Sequence, residues 1–475
     1  LNTMGDHLDP LRRSAPVPPR WSERLGSGPA TLTEARAFAA PAGLHGAHES
    51  LSRDELAALQ IERLRATLAN AWDHVPWHRA RLDAAGLHPD SVRRLDDLQR
   101  LPFMVKNDLR DHYPFGLFAR PVESLARIHA SSGTTGKPTV VGYTGGDLGR
   151  WADLMARSMY GIGVRPGDLV HNAYGYGLFT GGLGAHAGAE RLGCPVVPMS
   201  GGGTERQVAL IVDFGARVLC ATPSYALAIA EVAEQQGVDL RRKGRLAFGL
   251  FGAEPWSAGM REEVQARLGL AAFDIYGLSE IMGPGVACEC ECRNGLHGWE
   301  DHFLFEIIDP DTGKAVPEGQ QGELVITTLT KEALPMLRYR TRDITRVTTE
   351  RCECGRSHLR IRRITGRNDD MLIIRGVNVY PSQVEAVLMG RPGLAPHYQL
   401  VIERQGALDR MRVEIEAMPG VAAERYEALA QDAQHHIKSL IGVTADVTVL
   451  APGALPRSQG KAVRVRDLRK LGSLS

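Results

Sequence analysis

The sequence predicts an α/β fold: a large N-terminal domain of parallel-sheet α/β layers plus a β-meander or barrel, and a small α+β C-terminal domain on a hinge. Its 475 residues exceed the length at which one hydrophobic core stops growing. β-Rich and helical segments alternate from about residue 126, and turn-linked strands follow residue 300. We expect a mobile N-terminal tail over 1–48, the large domain over 49–366 and the small, swivelling domain over 367–475.

The first predicted element is a helix over residues 52–72. Ser52 is a suitable N-cap, and Glu55 stands three residues later, where it can complete a capping box. Apolar residues then recur about every 3.6 positions. Strands are predicted over 167–174, 194–200, 216–223 and 245–252, and helices over 204–215 and 223–237. Alternation of this kind favours a largely parallel sheet.

The C-terminal part of the sequence has a different pattern of residues. Residues 303–330 contain strand-like runs joined by Asp, Pro and Gly turns, a pattern typical of an antiparallel meander or barrel. We predict a hinge near Asp369. A compact region of strands and helices is expected beyond it.

Charge and apolar patterning exclude several classes of function. The 56 basic and 55 acidic residues leave a net charge of +1, which favours neither nucleic acid nor an anionic membrane as a partner. The longest nearly uncharged stretch, residues 218–230, is shorter than the roughly 20 residues of a membrane helix. The first residues lack the apolar core of a secretory signal. We therefore expect a cytoplasmic protein that binds neither nucleic acid nor membrane.

Residues 128–144, IHASSGTTGKPTVVGYT, place hydroxyl side chains, glycines and a lysine between two β-branched runs. The spacing excludes a Walker A loop, because Ser131 stands where its first glycine would be and Pro138 follows Lys137. The pattern predicts a hairpin whose tip turns N–H groups inward and suits the β- and γ-phosphates of a nucleotide. The alternative is a surface hairpin of turn-forming residues. The phosphate-binding candidates are Ser131, Ser132, Gly133, Thr134, Thr135, Gly136 and Lys137.

Five of the seven cysteines fall in two tight groups, at 288, 290 and 292 and at 352 and 354. Cys352 and Cys354 form a knuckle-like turn, which Cys290 and His297 can complete as a tetrahedral Cys₃His zinc site. Four protein ligands imply a structural site rather than a catalytic one. Free thiols are the alternative. The sequence leaves open which of Cys288, Cys290 and Cys292 is the ligand.

Several motifs together carry a resemblance to a known family. SSGTTGKPT resembles the phosphate loop of the adenylate-forming superfamily of acyl-CoA synthetases, non-ribosomal adenylation domains and luciferases. Further motifs follow in that family's order: FGAEP (251–255), DIYGLSE (274–280), YRTRD (339–343), GRNDD (366–370) and PRSQGKAVRV (456–465). Within the superfamily, HNAYGYGLFTGGLGAH, CATPSYA, GWEDHF and RGVNVYPSQVE resemble the phenylacetate–CoA ligases. The resemblance runs from about residue 50 to 466.

The resemblance implies a reaction in two halves. A carboxylate attacks the α-phosphorus of ATP, and a nucleophile then takes the acyl group from the acyl-AMP. Lys461 resembles the C-terminal lysine that bridges the carboxylate and the α-phosphate, and Glu280 resembles the Mg²⁺ ligand. Asp343 resembles the acid that accepts both ribose hydroxyls. The alternatives are a solvated surface lysine, an acid at a helix start, and an ion-pair partner of a nearby arginine.

The same resemblance assigns the walls of an adenine slot and a pivot. Arg367 is expected to approach the ribose or the phosphates, and Asp369 to be the pivot about which the C-terminal domain rotates between the half-reactions. That rotation would withdraw Lys461 and admit the thiol. The two walls are assigned to Ala253, Glu254 and Pro255 and to Asp274, Ile275 and Tyr276.

The carboxylate substrate is expected near residues 173–182 and 200–203. Tyr174 and Phe179 could stack on an aromatic ring, although core packing is the alternative for both. Gly201, Gly202 and Gly203 leave space or offer backbone donors. Gly203 stands where we expect a polar residue in phenylacetate enzymes, a departure that bears on the identity of the acid.

Three functions follow from these residues. The first is an aryl acid–CoA ligase that uses ATP, Mg²⁺ and CoA and carries a structural zinc ion. The second is an aryl-acid adenylase, of the hydroxy- or aminobenzoate type, that passes the acyl group to an amine, a hydroxyl or a carrier protein. The third is a non-catalytic nucleotide-binding protein, which predicts loss of Lys461 or Glu280, yet both are present. The family suggests a homodimer.

Overall fold

The computed structural model describes residues 44–131, 138–367, 372–374, 377–405, 408–458 and 462–470. The expected tail up to residue 43, the hairpin tip over 132–137, the pivot Asp369 and Lys461 lie outside the described residues. Residues 44–367 are called the N-terminal region below, and residues 372–470 the C-terminal region.

The helices of the described residues alternate with strands through the N-terminal region and reappear near the C-terminus. They are α1 (Arg53–His74), α2 (Pro76–Ala84), α3 (Lys106–Asp111), α4 (Gly145–Gly161), α5 (Thr180–Leu192), α6 (Thr204–Asp213), α7 (Pro223–Gln235), α8 (Leu240–Lys243), α9 (Ala258–Leu268), α10 (Pro381–Met389) and α11 (Tyr426–Ile441). Short 3₁₀ helices cover Ala47–Ser50, Pro89–Ser91, Leu95–Arg100, Val122–Ser124, Ala423–Arg425 and Leu468–Lys470. Among the described residues, we find no helix with the length and apolar character that a membrane crossing requires.

The strands form sheets of very different size. In chain order they are β1 (Arg127–Ala130), β2 (Val140–Tyr143), β3 (Val170–Asn172), β4 (Val196–Val197), β5 (Val218–Ala221), β6 (Phe248–Gly252), β7 (Ala271–Leu278), β8 (Gly283–Glu289), β9 (Leu296–Gly298), β10 (Phe303–Ile308), β11 (Gly322–Thr328), β12 (Tyr339–Thr345), β13 (Val347–Thr348), β14 (Arg360–Ile361), β15 (Gly366–Arg367), β16 (Leu372–Ile374), β17 (Val377–Val379), β18 (Leu394–Gln405), β19 (Leu408–Ala417), β20 (Ala445–Leu450) and β21 (Val465–Asp467).

The largest sheet has the order β13-β14-β9-β8-β7-β6-β5-β3-β4. Its strands from β7 to β4 are parallel, as the alternation of strands and helices predicts, and Val218 of β5 pairs with both Val170 and Phe248. β8, β9, β14 and β13 extend this sheet in antiparallel pairing. The parallel part places the carboxyl ends of β3, β5, β6 and β7 at one edge, where ligands of such sheets usually bind.

A second sheet, of four antiparallel strands, has the order β10-β11-β12-β15. The meander prediction for residues 303–330 is therefore confirmed. The barrel alternative is wrong for the described strands, because β10 and β15 are the two outer strands of this order and do not pair with each other. An open sheet leaves the end of β12, with Asp343, beside β15, with Arg367.

The hairpin predicted from residues 128–144 is present. β1 and β2 pair antiparallel from Arg127 with Tyr143 to Ala130 with Val140. At its open end, the N–H of Ser131 donates to the carbonyl of Thr139 at 2.9 Å, and the N–H of Thr139 donates to Ser131 Oγ at 3.1 Å. The base of the phosphate-loop candidate is thus held by both backbone and side chain.

The first helix also forms as predicted, with Ser52 as its N-cap and Glu55 completing the capping box. Residues 44–48, which we assigned to a mobile tail, are packed in the structure. Leu44 is buried, and the carbonyl of His48 contacts His358 Nε2 at 3.0 Å. Leu44 and His48 therefore have contacts with residues distant in sequence.

The C-terminal region has its own apolar core. Its sheet has the order β20-β19-β18-β21, and β16 and β17 form a separate hairpin. Leu400, Val413, Ile415 and Ile437 are fully buried within this core, so α11 packs its apolar side against the sheet. A region with a core of this kind can keep its shape if it moves as a body.

A buried ion pair ties helix α4 to the turn between β9 and β10. Both nitrogens of the Arg157 fork donate to the Asp301 carboxylate, at 2.8 and 3.0 Å, and the guanidinium lies 5.1 Å from the Trp299 ring centre. Burial by itself raises the pKa of Asp301, but the charge and hydrogen bonds of Arg157, together with His302 and His358, outweigh it and hold that pKa well below its usual value. Loss of either partner would leave a buried charge unpaired.

We predict that Asp301→Asn destabilises the protein by about 3–5 kcal/mol, because Arg157 would keep its charge without a carboxylate partner. Urea unfolding followed by tryptophan fluorescence would measure the loss. Asp153→Asn is the matched control, since Asp153 lies on the same helix and pairs with Arg191 at the surface, and it should cost less than about 1 kcal/mol. Equal stabilities of the Asp301 variant and the wild type would contradict the prediction.

Candidate functional site

Loops at the carboxyl edge of the parallel sheet bring several predicted residues together. The N–H of Ala173, after β3, donates to the carbonyl of Cys220 in β5 at 2.8 Å. Thr222, after β5, caps helix α7 by accepting from the N–H of Tyr225. The turn after β4 joins them, because the N–H of Ser200 donates to the carbonyl of Asn172 at 3.1 Å. The site therefore lies where parallel strands end, as the order of the motifs implies.

The buried side-chain amide of Gln207 holds the turn at residues 200–203 in place. Gln207 Nε2 donates to the carbonyls of Ser200 and Gly202, at 2.7 and 3.1 Å, and Tyr225 Oη accepts from the N–H of Gly202 at 2.9 Å. Gly202 and Gly203 have φ values of 88° and 57°, which favour glycine. Three glycines in a row thus give a fixed turn with a backbone shape that most side chains would resist.

The two aromatic candidates differ in their surroundings. Tyr174 is buried in the core, and its hydroxyl donates to the carbonyl of Leu250 at 3.1 Å, so the packing alternative applies to it. Burial raises the pKa of Tyr174 well above its usual value. Phe179 is only partly buried and precedes helix α5. Sequence reasoning missed Tyr176, whose half-buried hydroxyl accepts from Asn172 Nδ2 at 2.7 Å and lies 3.1 Å from His186 Nδ1.

The FGAEP segment turns sharply after β6. Ala253 has a φ of 72°, an unusual value for a residue with a side chain, so the turn is strained. Glu254 then points its carboxylate at two backbone donors: the N–H of Ser224 at the start of α7 and the N–H of Ala462, both at 2.7 Å. Burial raises the pKa of Glu254 despite these bonds. Pro255 is exposed. Glu254 thereby joins the N-terminal region to the residue that follows Lys461.

The second predicted wall of the adenine slot lies on β7, the strand that pairs with β6. A Cβ at Gly252 would lie 2.3 Å from the carbonyl oxygen of Ile275, so only glycine permits this close approach of β6 to β7. Asp274, on the same strand, is partly buried. Desolvation and the charge of Glu289 raise the pKa of Asp274 to about 7.

Tyr276 reaches the acidic residue of the second sheet. Its hydroxyl donates to Asp343 Oδ2 at 2.5 Å, while Arg367 NH1 lies 3.7 Å from Asp343 Oδ1. Burial and the nearby carboxylate raise the pKa of Tyr276 well above its usual value, so its hydroxyl stays a donor. The structure thus brings together three residues that lie up to 91 positions apart in sequence, since Tyr276 and Arg367 both contact Asp343.

Glu280 is almost fully buried and lies between two lysines. Lys331 Nζ donates to the backbone carbonyl of Glu280 at 2.9 Å and lies 4.8 Å from the Tyr143 ring centre, while Lys106 Nζ is 3.5 Å from Glu280 Oε1. Burial lowers the pKa of Lys331 to about 8. Sequence reasoning missed both lysines. A signal for Lys331 was available, because TLTKEALPML places a lone lysine in a largely apolar run.

The cysteine cluster lies at the antiparallel end of the large sheet. Cys290 follows β8, His297 belongs to β9, and Cys352 and Cys354 precede β14, so the strand order brings them together. Their ligand atoms all lie within 4.8 Å of one another. Cys290 Sγ is 3.8 Å from Cys352 Sγ, and Cys354 Sγ is 3.4 Å from His297 Nε2.

The structure decides which cysteine of the first group belongs to this cluster. Cys288 is buried elsewhere, with its sulfur 3.9 Å from the carbonyl of Ser158, and Cys292 is exposed. The other ring nitrogen of His297, Nδ1, lies 3.3 Å from the carbonyl of His358, which can fix the tautomer that leaves Nε2 facing the sulfurs. The group offers three sulfurs and one nitrogen around a common centre.

Family models match most of the chain. The model described as AMP-binding enzyme matches residues 67–330, and that described as AMP-binding enzyme C-terminal domain matches residues 376–469. The second match coincides with the C-terminal region, and the first contains the FGAEP and DIYGLSE segments.

Two curated relatives are similar over nearly the whole chain. A phenylacetate–coenzyme A ligase from Thermus thermophilus is 54% identical over 89% of this chain and 98% of its own length. One from Aromatoleum evansii is 55% identical over 89% of this chain and 96% of its own length.

Solved structures of a 2-hydroxyisobutyryl-CoA ligase distinguish two arrangements. The postadenylation state in complex with 2-HIB-AMP matches with a TM-score of 0.85 at 32% identity, over 92% of this chain and 96% of that one. The thioesterification state, in complex with 2-HIB-AMP and CoA, matches with a TM-score of 0.68 at the same identity and coverage. The arrangement described above therefore resembles the postadenylation state more. On these matches, the chain belongs to the AMP-binding enzyme family, in the group of phenylacetate–coenzyme A ligases.

Proposed function

We propose that this protein is an ATP-dependent aryl acid–CoA ligase whose acid is phenylacetate or a close analogue. One observation carries the proposal: the N–H of Ala462 donates to the Glu254 carboxylate at 2.7 Å. Residues 208 positions apart, from two motifs that the resemblance assigns to one reaction, thus meet at the carboxyl edge of the sheet. The identity to phenylacetate–CoA ligases supports the choice of acid and acceptor.

In the first half-reaction, a carboxylate oxygen of the acid forms a bond to the α-phosphorus of ATP, and the bond to pyrophosphate breaks. Negative charge grows on the α-phosphoryl and bridging oxygens in the transition state. We assign Lys461 to this charge because a lysine ammonium is a point-charge donor, and because the next residue, Ala462, donates to Glu254. The hairpin tip, Ser132 to Lys137, is assigned to the β- and γ-phosphates.

Asp343 is proposed as the acceptor for the ribose hydroxyls. A carboxylate has about four acceptor positions, so it can accept from Tyr276 and still bind two hydroxyls. Tyr276 and Arg367 would hold that carboxylate in place and in its charged form. The backbone around Ala253 and the Ile275–Tyr276 strand are the proposed adenine walls.

Glu280 fits the metal that the family uses. Mg²⁺ is usually held by one or two carboxylates together with substrate phosphates, and Glu280 offers a single buried carboxylate beside Lys106. When bound with ATP, the metal would neutralise charge on the phosphate oxygens. Lys331 fixes the backbone of Glu280 and thereby the direction of its side chain.

In the second half-reaction, the CoA sulfur forms a bond to the acyl carbon, the bond to AMP breaks, and the thiol proton is lost. We propose that residues 49–366 form one domain and residues 367–475 a second domain that swivels about Asp369 between the two halves. The separate core of the C-terminal region supports motion as a body. A homodimer and a cytoplasmic location stay predictions.

The acid-binding part of the site is proposed to lie between the turn at Gly201–Gly203 and the loop after β3. Phe179 and Tyr176 offer partly buried rings there, whereas Tyr174 supports them from the core. Because a side chain at Gly203 would meet only Met199 Cε, at 3.4 Å, the glycine leaves open space. Ring-substituted acids are therefore expected to fit.

The first test is pyrophosphate release from ATP with a panel of phenylacetate, ring-substituted phenylacetates, benzoates and short aliphatic acids. We expect release with phenylacetates, and thioester and AMP formation only when CoA is added. Because the curated relatives at 54% and 55% identity are phenylacetate–CoA ligases, aliphatic acids should react at least about tenfold more slowly. Pyrophosphate release with no aryl acid, or no thioester on addition of CoA, would overturn the proposal.

A second test separates the two half-reactions. We predict that Lys461→Ala lowers acyl-AMP formation by about 100-fold or more, because one donor to the developing charge is lost. Transfer of preformed phenylacetyl-AMP to CoA should stay at the wild-type rate. Lys438→Ala, on an exposed face of α11, is the matched control and should leave both rates unchanged. Equal loss of both halves would contradict the role of Lys461.

We also propose that Cys290, His297, Cys352 and Cys354 bind a structural zinc ion. Zinc–sulfur bonds of about 2.3 Å in a tetrahedron place two sulfurs roughly 3.8 Å apart. The Cys290–Cys352 separation of 3.8 Å supports this geometry and is far longer than the roughly 2.05 Å of a disulfide bond. The ion would join β8, β9 and the turn before β14.

Metal analysis of the purified protein is expected to find zinc at one ion per chain. Cys354→Ser should lose the ion and lower the thermal midpoint by several degrees, because binding energy that stabilises only the folded state is lost. Cys292→Ser is the control, since Cys292 is exposed and outside the cluster, and it should retain zinc. Protein without zinc, or zinc retained by Cys354→Ser, would remove the proposal.

A further inference from the structure

Glu231, near the end of helix α7, contacts an arginine and a histidine of the C-terminal region. Its Oε2 accepts from Arg457 Nε at 2.8 Å, and its Oε1 contacts His397 Nε2. His397 lies in β18, and Arg457 stands four positions before Lys461. The carboxylate is therefore a point at which the N-terminal region holds both the sheet and the lysine-bearing segment of the C-terminal region. We call Glu231, His397 and Arg457 the Glu231 latch.

Arg457 is held by contacts within the C-terminal region, in addition to its contact with Glu231. Its NH1 and NH2 donate to the Glu416 carboxylate at 2.7 and 2.8 Å. Glu416 also accepts from the N–H groups of Gly453 and Leu455, at 2.9 and 2.7 Å. Because Glu416 lies in the same region as Arg457, these bonds survive any movement of that region as a body. Arg457 Nε is thereby left facing Glu231.

Glu231 carries a negative charge at neutral pH. Burial alone would raise its pKa, but the hydrogen bonds and charges of His397 and Arg457 lower the pKa of Glu231 to about 2. The carboxylate is 18% exposed and His397 is 10% exposed, so solvent screens the contact only in part. A charged hydrogen bond in such surroundings is stronger than one between neutral groups.

We propose that Glu231 is a positioning residue that favours the arrangement in which Lys461 can act, by holding Arg457 and His397 against helix α7. The proposal deepens the proposed function and rests on it. The contacts of the latch cross from one region to the other, whereas those of Glu416 do not. A rotation of the C-terminal region breaks the first set and spares the second. The latch therefore contributes free energy to one arrangement only, and it shifts the population toward that arrangement.

A second carboxylate contact supports the same interface. Glu385 of α10 accepts from the N–H of Ser257 at 2.7 Å and from Tyr398 Oη at 2.9 Å. Like Glu254, however, Glu385 binds a backbone N–H across the interface. Glu231 differs from both because its partners across the interface are side chains, one of them the Arg457 guanidinium, so its contribution depends on charge and can be removed without a change of shape.

The test is Glu231→Gln, which keeps the size of the side chain and removes its charge. Pyrophosphate release from phenylacetate and ATP without CoA reports the first half-reaction. Transfer of preformed phenylacetyl-AMP to CoA reports the second. We expect the first rate to fall about fivefold, since a partly screened ion pair contributes about 1 kcal/mol, and the second to stay at or above that of the wild type.

Glu234→Gln is the matched control. Glu234 lies on the same helix and pairs with Arg267 of the N-terminal region at 2.9 and 2.7 Å, so its contacts do not cross the interface. The rates of both half-reactions in Glu234→Gln should equal those of the wild type. A merely structural effect of Glu231→Gln would lower both half-reactions together, and that result would overturn the proposal. Unchanged rates in Glu231→Gln would overturn it as well.

His397→Leu keeps the proposal testable if Glu231→Gln does not fold. It removes one partner of Glu231 and should slow the first half-reaction alone. Where both single variants fold, the double variant should be no slower than Glu231→Gln, because the shared contact is already lost. If the losses of rate in the two single variants added up in the double variant, the two side chains would act independently, and this result would contradict the proposal. Absence of pyrophosphate release in the wild type would instead refute the proposed function, independently of Glu231.

Discussion

The constraint on which the rest depends is the meeting of parallel strand ends at one edge of the large sheet. Each strand delivers its loop to the same place, so segments after β3, β5, β6 and β7 become neighbours. The Glu254 carboxylate joins two of these elements to the C-terminal region by accepting from Ser224 and Ala462. Without that edge, the motifs of this chain would be unconnected sequence segments.

Buried polar side chains give this edge its shape. Gln207 holds the glycine turn, Lys331 holds the backbone of Glu280, and Tyr276 holds the Asp343 carboxylate. Each polar group has a partner within hydrogen-bonding distance, so its burial orders a loop instead of destabilising it. The loops that face a substrate are thereby fixed by residues that need not touch it.

The interface between the two regions combines contacts of different kinds. Glu254 and Glu385 accept from backbone N–H groups, whereas Glu231 accepts from the Arg457 guanidinium. Contacts to the backbone fix the relative placement of the two regions. A contact between charged side chains adds to the free energy of the interface, and one substitution can change that contribution. An enzyme that alternates between two arrangements needs an interface of modest strength, because a stronger one would hold it in the first.

The sequence by itself determined the alternating α/β pattern, the capped first helix, the hairpin around residues 128–144 and the order of the motifs, because these depend on local spacing and residue type. It could not find Lys331, Tyr176 or the Glu231 latch, nor choose Cys290 among three cysteines. Those features depend on strand order and on which side chains face one another across the fold. Only the tertiary structure decided them, because contacts between residues distant in sequence leave no periodic signal along the chain.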